Sequence, residues 1–298
     1  MPTNLTDRTS DIELSHEILP QVLLASLWVA SVIVLLVQDR GTAFIALGFG
    51  AFMLLLWLVT KRLVPAPQGG QDVLIAIGCR KRLVARCLIV AASLAVTFLH
   101  LLAANKVLAL PSLEHALASV GNLAPSLGSG LRNFVMFALA PGLLVIALGA
   151  RPRELGLTRP ARGTYLATLA VTGLFLLSWA WRMTHGGPSI PMLGLFLAHN
   201  LLSNGFSEEF QTKGLVLSHL RAFMRAEWAL VVTAILVALL HSADAVHDEP
   251  GMLGVLANGL ALNVPMNYFL GRAALRTRSL FLPTAVHLAL DTTRNVWM

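Results

Sequence analysis

SNGFSEEFQTKGLVLSHL, residues 203–220, places two adjacent carboxylates, Glu208 and Glu209, inside a long apolar segment. We predict that this segment, residues 190–220, forms one long helix. An ionisable side chain at membrane depth costs about 2.5–3.5 kcal/mol on insertion scales. Two such side chains in a row therefore indicate either a functional site or a buried ion-pair network.

The composition of the chain is that of a polytopic membrane protein. Of its 298 residues, 56% are hydrophobic and only 12% are charged, whereas soluble domains carry about 25% charged residues. The net charge of +7 does not indicate nucleic-acid binding, because the basic residues cluster between apolar segments and no basic stripe has interleaved aromatic side chains. The two cysteines, Cys79 and Cys87, fit neither a disulfide framework nor a structural zinc pattern.

The apolar segments predict an all-α, polytopic transmembrane helical bundle of about eight or nine spans, so an active site built from polar side chains of the spans would occupy a cavity within the bundle. The predicted spans are residues 18–37, 42–59, 87–104, 131–149, 164–181, 190–220, 228–243, 252–270 and 280–296. Basic loops follow every second span, and they include the cluster Arg80, Lys81, Arg82 and Arg86 within a predicted loop at residues 61–86. This alternation predicts a cytoplasmic N-terminus in a plasma (inner) membrane. The first span is interpreted as retained, because the preceding 17 residues do not resemble a signal peptide.

The polar residues of the sixth span are predicted to form one stripe, because residues three and four positions apart share a helix face. The stripe consists of Asn200, Asn204, Glu208, Gln211 and Thr212. Glu209 lies about 100° round the helix, four residues before Lys213, which is the favourable order for an ion pair. Glu208 has no cation on its own helix, so it is the better candidate for a general base. The alternative is that both glutamates are structural and pair with arginines elsewhere in the bundle.

Two later spans carry histidines with nearby carboxylates. His241 ends an apolar run and precedes Asp244 by one turn, while His287 and Asp291 are four residues apart and share a face. As alternatives, His241 would be a solvated residue at the membrane rim, and Arg294 would neutralise Asp291 in a structural pair.

Other polar residues and motifs receive weaker interpretations. Asn263 and Asn267 are expected to join helices rather than line a site, and His100 and His199 are assigned no role. The sequence contains no HExxH zinc motif and no GxGD carboxylate pair. The segment 128–130 (GSG) is placed in a loop without a supporting histidine, which argues against a rhomboid-like serine protease.

Three motifs, taken in order, resemble those of the CPBP family, the CAAX-processing and bacteriocin-processing intramembrane glutamic endopeptidases. They are Glu208-Glu209-x-x-x-Lys213, His241 and His287-x-x-x-Asp291. The family pattern is EExxxR, FxxxH and Hxxx(N/D), and the resemblance covers about residues 154–295, beginning with the tetrapeptide ELGL at 154–157. Two positions depart from the pattern. Lys213 stands in place of an arginine, which removes a bidentate fork but keeps the charge, and Val237 stands in place of a phenylalanine.

The resemblance implies a role for each matching residue. Glu208 would activate water with assistance from His241, and His287 and Asp291 would stabilise or orient the oxyanion. Glu209, Lys213 and Asn204 would support this geometry. No metal or cofactor is implied, although His241, His287 and a carboxylate could instead hold a zinc ion with an open position.

The sequence thus predicts an intramembrane endopeptidase that cleaves a membrane-associated protein or peptide in the lipid bilayer. Residues 1–150 would form N-terminal transmembrane helices and loops, and residues 151–298 would form the catalytic core. The alternative from another class is a non-catalytic membrane protein that serves transport, immunity or assembly.

Overall fold

The computed structural model describes residues 18–65, 80–123, 127–247, 249 and 251–298. Within these ranges the regular structure is entirely helical, which confirms the predicted fold class. The predictions for the first 17 residues and for Cys79 lie outside the described residues.

Ten helices follow one another along the described part of the chain. They are α1 (Ile18–Gln38), α2 (Arg40–Leu63), α3 (Arg80–Ala104), α4 (Pro111–Gly121), α5 (Gly128–Ala147), α6 (Arg162–Thr184), α7 (residues 190–220), α8 (Ala226–His241), α9 (Gly251–Thr277) and α10 (Phe281–Trp297). Between α1 and α2, Asp39 caps the start of α2 by accepting hydrogen bonds from the backbone N–H groups of Gly41 and Thr42. The hydroxyl of Thr42 also donates to this carboxylate, and these bonds lower the pKa of Asp39.

Six helices of the described part are long and apolar enough to cross a membrane, namely α1, α2, α3, α5, α6 and α8. The chain is therefore a multi-pass membrane protein, as predicted. Helices α7, α9 and α10, which were also predicted as spans, do not meet the same measure of length and hydropathy. These three helices carry the polar residues, and much of their surface packs inside the bundle, so their sequences do not have to be uniformly apolar.

Two basic clusters that were predicted as loops lie within helices instead. α3 begins at Arg80, and its Arg86 is buried with Nη1 3.6 Å from Glu154 Oε2. Near the end of α9, Arg272 donates to the fully buried Glu227 over 2.8 Å. Hydropathy drops at the first charged residue, but a helix continues where a buried partner compensates that charge.

α9 is packed on several sides by the other helices. Its Ala257 and Ala261 contact Ala43 and Ala46 of α2, and the Trp28 ring of α1 donates to the Ala261 carbonyl over 2.9 Å. Small residues allow such close helix contacts in membranes. α1 and α2 therefore help to hold α9 in place. The division of the chain at residue 150 stays a prediction.

α7 forms one continuous helix over residues 190–220, as predicted, but two of its stretches are π-helical. These stretches are Leu201–Gly205 and Phe210–Leu217, and the Phe206 N–H bonds to the Leu201 carbonyl, five residues back. A π-helical turn contains more residues than an α-helical turn. It therefore rotates the later side chains away from the positions expected for a regular α-helix.

Candidate active site

The Glu208 carboxylate lies between two histidines from different helices. Its Oε2 is 3.4 Å from Nε2 of His241 on α8 and 3.9 Å from Nε2 of His287 on α10. The Glu208 side chain keeps 18% of its surface exposed, and that of His241 keeps 25%. This carboxylate and this imidazole are therefore open to a small molecule.

His241 is held on its other side by Asp244. α8 ends at His241, and a 3₁₀ turn at Ser242–Ala245 brings the carboxylate back so that Oδ2 lies 3.1 Å from Nδ1 of the ring. Asn105, just after α3, donates to the second oxygen of Asp244 over 3.1 Å. The Asp244 contact favours a proton on Nδ1 of His241 and directs Nε2 towards Glu208.

Glu209 is in a very different environment from Glu208. Its side chain is fully buried, and its Oε1 lies 3.0 Å from the Lys213 ammonium and 3.0 Å from Nδ1 of His287. The predicted pair of Glu209 and Lys213 is therefore formed, and Lys213 also donates to Asn267 of α9 over 2.7 Å. Because Glu209 binds one nitrogen of His287, the other nitrogen is turned towards Glu208.

Asp291 lies on the exposed side of His287. Its Oδ2 is 3.7 Å from Nε2 of His287, which is too long for a hydrogen bond, and it accepts one from Asn204 over 2.9 Å. The described structure contains no ion pair between Arg294 and Asp291, so the alternative of a structural pair at this position is wrong. The structure thus places all the predicted site residues on α7, α8 and α10 in one cluster, which consists of Asn204, Glu208, Glu209, Lys213, His241, His287 and Asp291.

The predicted polar stripe on α7 divides towards two neighbouring helices. Asn200 donates to Thr292 and Asn295 of α10 over 3.1 and 2.7 Å, on the same side as the bond from Asn204. Gln211 instead donates to the hydroxyl groups of Ser93 and Thr97 on α3, both over 2.8 Å. The π-helical segments account for this difference, since they change the register between residue 200 and residue 211.

Sequence reasoning missed two contributors to the site. Asn267 is predicted to join helices, and it does so by accepting a hydrogen bond from Lys213 of α7, which also makes it part of the candidate site. No pattern in the sequence points to Asn105, which binds Asp244. The spacing between Asn263 and Asn267 was the available signal for α9, but spacing within a helix does not identify a partner on another helix.

The interpretation of residues 128–130 as a loop was wrong. Ser129 lies in the first turn of α5, and its hydroxyl is 3.4 Å from Nε2 of His199. Ser129 is exposed, and His199 has no carboxylate partner within the described residues. This pair therefore lacks the third group that orients the histidine in a serine-protease triad.

The described residues contain no group of three histidine, cysteine, aspartate or glutamate side chains arranged to hold a metal ion. His241, His287 and a carboxylate, which the sequence left open as a zinc site, do not form such a group among these residues.

Comparison with known families was informative for the carboxyl-terminal helices. Residues 190–293 match the Rce1-like family model. The description of that model is type II CAAX prenyl endopeptidase Rce1-like, and the match covers about a third of the chain, from the start of α7 into α10. It confirms the resemblance found from the three motifs, and it indicates a membrane protease.

The Rce1-like segment contains the whole candidate cluster from Asn204 to Asp291, whereas the tetrapeptide at residues 154–157 precedes it. No curated protein and no solved structure gave a significant match to the chain.

Proposed function

We propose that the chain is an intramembrane endopeptidase that uses Glu208 to activate water for hydrolysis of a peptide bond. The observation that carries this proposal is the partly open contact between Glu208 and His241, in which Oε2 and Nε2 are 3.4 Å apart and Asp244 holds the far side of the ring. A carboxylate and an oriented imidazole facing one opening can together bind a water molecule and take its proton.

The reaction would begin with a water molecule bound between Glu208 and His241. Glu208 takes a proton as the water oxygen attacks the carbonyl carbon, and the carbonyl π electrons move onto the oxygen to give a tetrahedral intermediate. The same proton then passes to the departing nitrogen as the carbon–nitrogen bond breaks. A carboxylic acid and an amine are the products, and Glu208 ends as the carboxylate with which it began.

His287 is suited to stabilise the negative charge of the intermediate. Its Nδ1 is bonded to Glu209, and its Nε2 points to the side where Glu208 and Asp291 lie. These three carboxylates favour the charged imidazolium, which donates hydrogen bonds from both nitrogens. A donor that is already oriented towards the developing charge lowers the barrier without further reorganisation.

Glu209, Lys213 and Asn267 act through His287 and do not touch the substrate. Their hydrogen bonds form a buried chain with distances of 2.7, 3.0 and 3.0 Å from Asn267 to the His287 ring. A lysine can serve this purpose in place of an arginine, because its ammonium reaches both Glu209 and Asn267.

The substrate would be a membrane-associated protein or peptide of the plasma membrane. The description of the matched family model makes a prenylated peptide the first probe. The chemistry derived above does not depend on the lipid, so a bacteriocin leader or a sorting-signal helix fits the same site.

The test compares protein termini in cells that carry the wild type or Glu208→Gln at equal expression. We expect a specific set of membrane or secreted proteins to lose a cleavage in the variant, because the amide cannot take a proton from water. Glu114→Gln, an exposed glutamate in the first turn of α4, serves as the matched control and should leave all termini unchanged.

The protease hypothesis would be rejected if the wild type and Glu208→Gln gave identical protein termini under conditions where loss of the gene has a phenotype. That result would instead favour a non-catalytic role in transport, immunity or assembly.

The metal-free mechanism has its own test. Cleavage by the purified protein should persist after treatment with a zinc chelator. Loss of cleavage that zinc restores would show that this mechanism is wrong.

A further inference from the structure

The cluster on α7, α8 and α10 does not account for Arg132, a charged residue inside the membrane-spanning helix α5. Its Nε is buried without a hydrogen-bond partner, and no carboxylate of the described residues pairs with its guanidinium. An arginine inside a membrane-spanning helix is unfavourable and generally has a partner. The following residue, Asn133, also has a buried side-chain oxygen without a partner.

A second polar side chain without a partner faces Arg132 from α3. His100 is only 7% exposed, and it is close enough to Arg132 for their charges to interact. The described structure gives His100 no hydrogen bond, although its ring can donate one. The wall between α3 and α5 thus holds a guanidinium and an imidazole, but no anion among the described residues.

The contacts of α3 place His100 beside the candidate active site. One turn before His100 along α3, Thr97 binds Gln211, which follows Glu208 by three residues. Just after the end of α3, Asn105 binds Asp244, the partner of His241. His100 follows Thr97 by three residues, so both side chains lie on the same face of α3. His100 therefore lies between a contact of α3 with α7, the helix of Glu208, and a contact of α3 with the carboxylate that holds His241.

The contacts of α5 place Arg132 at a similar depth. Gly130 packs so closely on α7 that an added Cβ would lie 2.9 Å from the His199 carbonyl oxygen, and the Phe134 ring contacts that of Phe206 with centroids 6.2 Å apart. Arg132 lies midway between Gly130 and Phe134. It is therefore level with the turn of α7 that precedes Glu208.

We propose that Arg132 and His100 bind a carboxylate of the substrate next to the peptide bond presented to Glu208, an inference that rests on the proposed protease function. The guanidinium supplies the charge and a planar fork of N–H donors suited to a carboxylate, and the imidazole supplies one further N–H. The carboxylate is either the α-carboxylate of a chain end or the side chain of an aspartate or glutamate. An α-carboxylate held here would fix the distance between the cleaved bond and the end of the substrate.

The test measures binding to the full-length protein in detergent, in the Glu208→Gln background so that the probe is not cut. The probe is a fluorescent prenylated peptide with either a free C-terminal carboxylate or a C-terminal amide, and the readout is fluorescence anisotropy. We expect the acid to bind about tenfold tighter or more, as for a hydrogen bond to a charged group. Arg132→Gln should abolish this preference, and Arg132→Lys should retain part of it.

Arg182→Gln is the matched control, because Arg182 also lies in a spanning helix but stacks over Trp297 with 5.8 Å between the guanidinium carbon and the ring centroid. It should leave the preference for the acid unchanged. The size-exclusion and thermal unfolding profiles of Arg132→Gln must match those of the parent protein. His100→Gln is a second variant, which removes no charge and should reduce the preference for the acid over the amide.

A preference for the acid that survives Arg132→Gln would overturn the inference. Equal binding of the acid, the amide and an amide that carries an internal glutamate would overturn it too, as would no binding of any of these peptides. An amidated peptide that recovers tight, Arg132-dependent binding when it carries an internal glutamate would assign the subsite to a side-chain carboxylate.

Cleavage by the protein with Glu208 restored separates this inference from the proposed function. Equal cleavage of acid and amide, unaffected by Arg132→Gln, leaves the protease intact and removes the subsite. If the acid binds in an Arg132-dependent way but neither peptides nor cellular proteins are cleaved, the carboxylate-binding site is retained and the protease function is rejected.

Discussion

Two adjacent glutamates of the same helix have opposite surroundings, and this difference determines what each can do. Glu209 is fully buried between an ammonium and an imidazole, whereas Glu208 keeps 18% of its side-chain surface exposed beside His241. The sequence predicted the choice of Glu208 over Glu209 from the position of Lys213. It did not predict that Glu209 would be the more buried of the two.

Replacement of Lys213 by methionine should destabilise the protein by about 3–5 kcal/mol, because it leaves the buried Glu209 carboxylate without its cation. Thermal or denaturant unfolding in detergent measures the effect. Lys61→Met, at an exposed position in the last turn of α2, should change stability little. A Lys213→Met protein as stable as the Lys61→Met control would contradict the assignment of Glu209 as a buried anion.

Asn267→Leu should lower kcat more than it raises KM, because the Lys213 ammonium loses its 2.7 Å acceptor and no longer fixes Glu209 and His287. Asn263→Leu is the control, since that amide donates only within its own helix, to the Gly259 carbonyl. Lys213→Arg added to Asn267→Leu should recover activity, because a guanidinium can bind Glu209 with two donors. Failure of this rescue, with the folded state intact, would count against a positioning role for Asn267.

At the scale of elements, α5, which carries Arg132, packs closely on α7, which carries Glu208 and Glu209. Gly130 is buried against the backbone of residue 199, whereas a Cβ atom added to Gly173 on the spanning helix α6 would meet nothing within 4 Å. Small residues at such contacts allow two helices to approach closely in a membrane.

Gly130→Ala should therefore lower stability and activity, because the added methyl group would lie 2.9 Å from a backbone oxygen and force the helices apart. Gly173→Ala should have the opposite sign and raise stability by up to about 1 kcal/mol, as alanine is the better helix former. Unfolding of both variants in detergent, with cleavage measured in parallel, tests the pair. Equal effects of the two substitutions would show that the contact at residue 130 is not tight.

At the scale of the whole molecule, the orientation in the membrane is still a prediction from the basic loops. The loop at residues 151–161 contains arginines, whereas the loop at residues 185–189 contains neither lysine nor arginine, and α6 lies between them. The positive-inside rule places the first loop in the cytoplasm and the second outside.

The test uses two single-cysteine variants, Arg153→Cys and His185→Cys, in a background in which Cys79 and Cys87 are replaced by serine. The two cysteines should react differently with a membrane-impermeant thiol reagent. Intact cells should show labelling at residue 185, and labelling at residue 153 should appear only after the cells are opened. Both positions are exposed. The reverse pattern would invert the predicted topology and with it the side from which a substrate enters.

The sequence by itself determined the all-helical membrane class and the positions of most helices, and it singled out the residues of the candidate cluster on α7, α8 and α10, because hydropathy and spacing within a helix are local properties. Its errors lay where distant contacts intervene. Arg86 and Arg272 extend helices beyond the apolar segments because Glu154 and Glu227 compensate their charges, and the π-helical turns of α7 direct Gln211 towards α3.

Only the tertiary structure decided which residue on each helix meets Glu208, that Asn267 supports Lys213, and that His100 and Arg132 face each other between α3 and α5. The physical reason is that these contacts join residues far apart along the chain. Their geometry follows from how the helices pack, which no spacing within a single helix specifies.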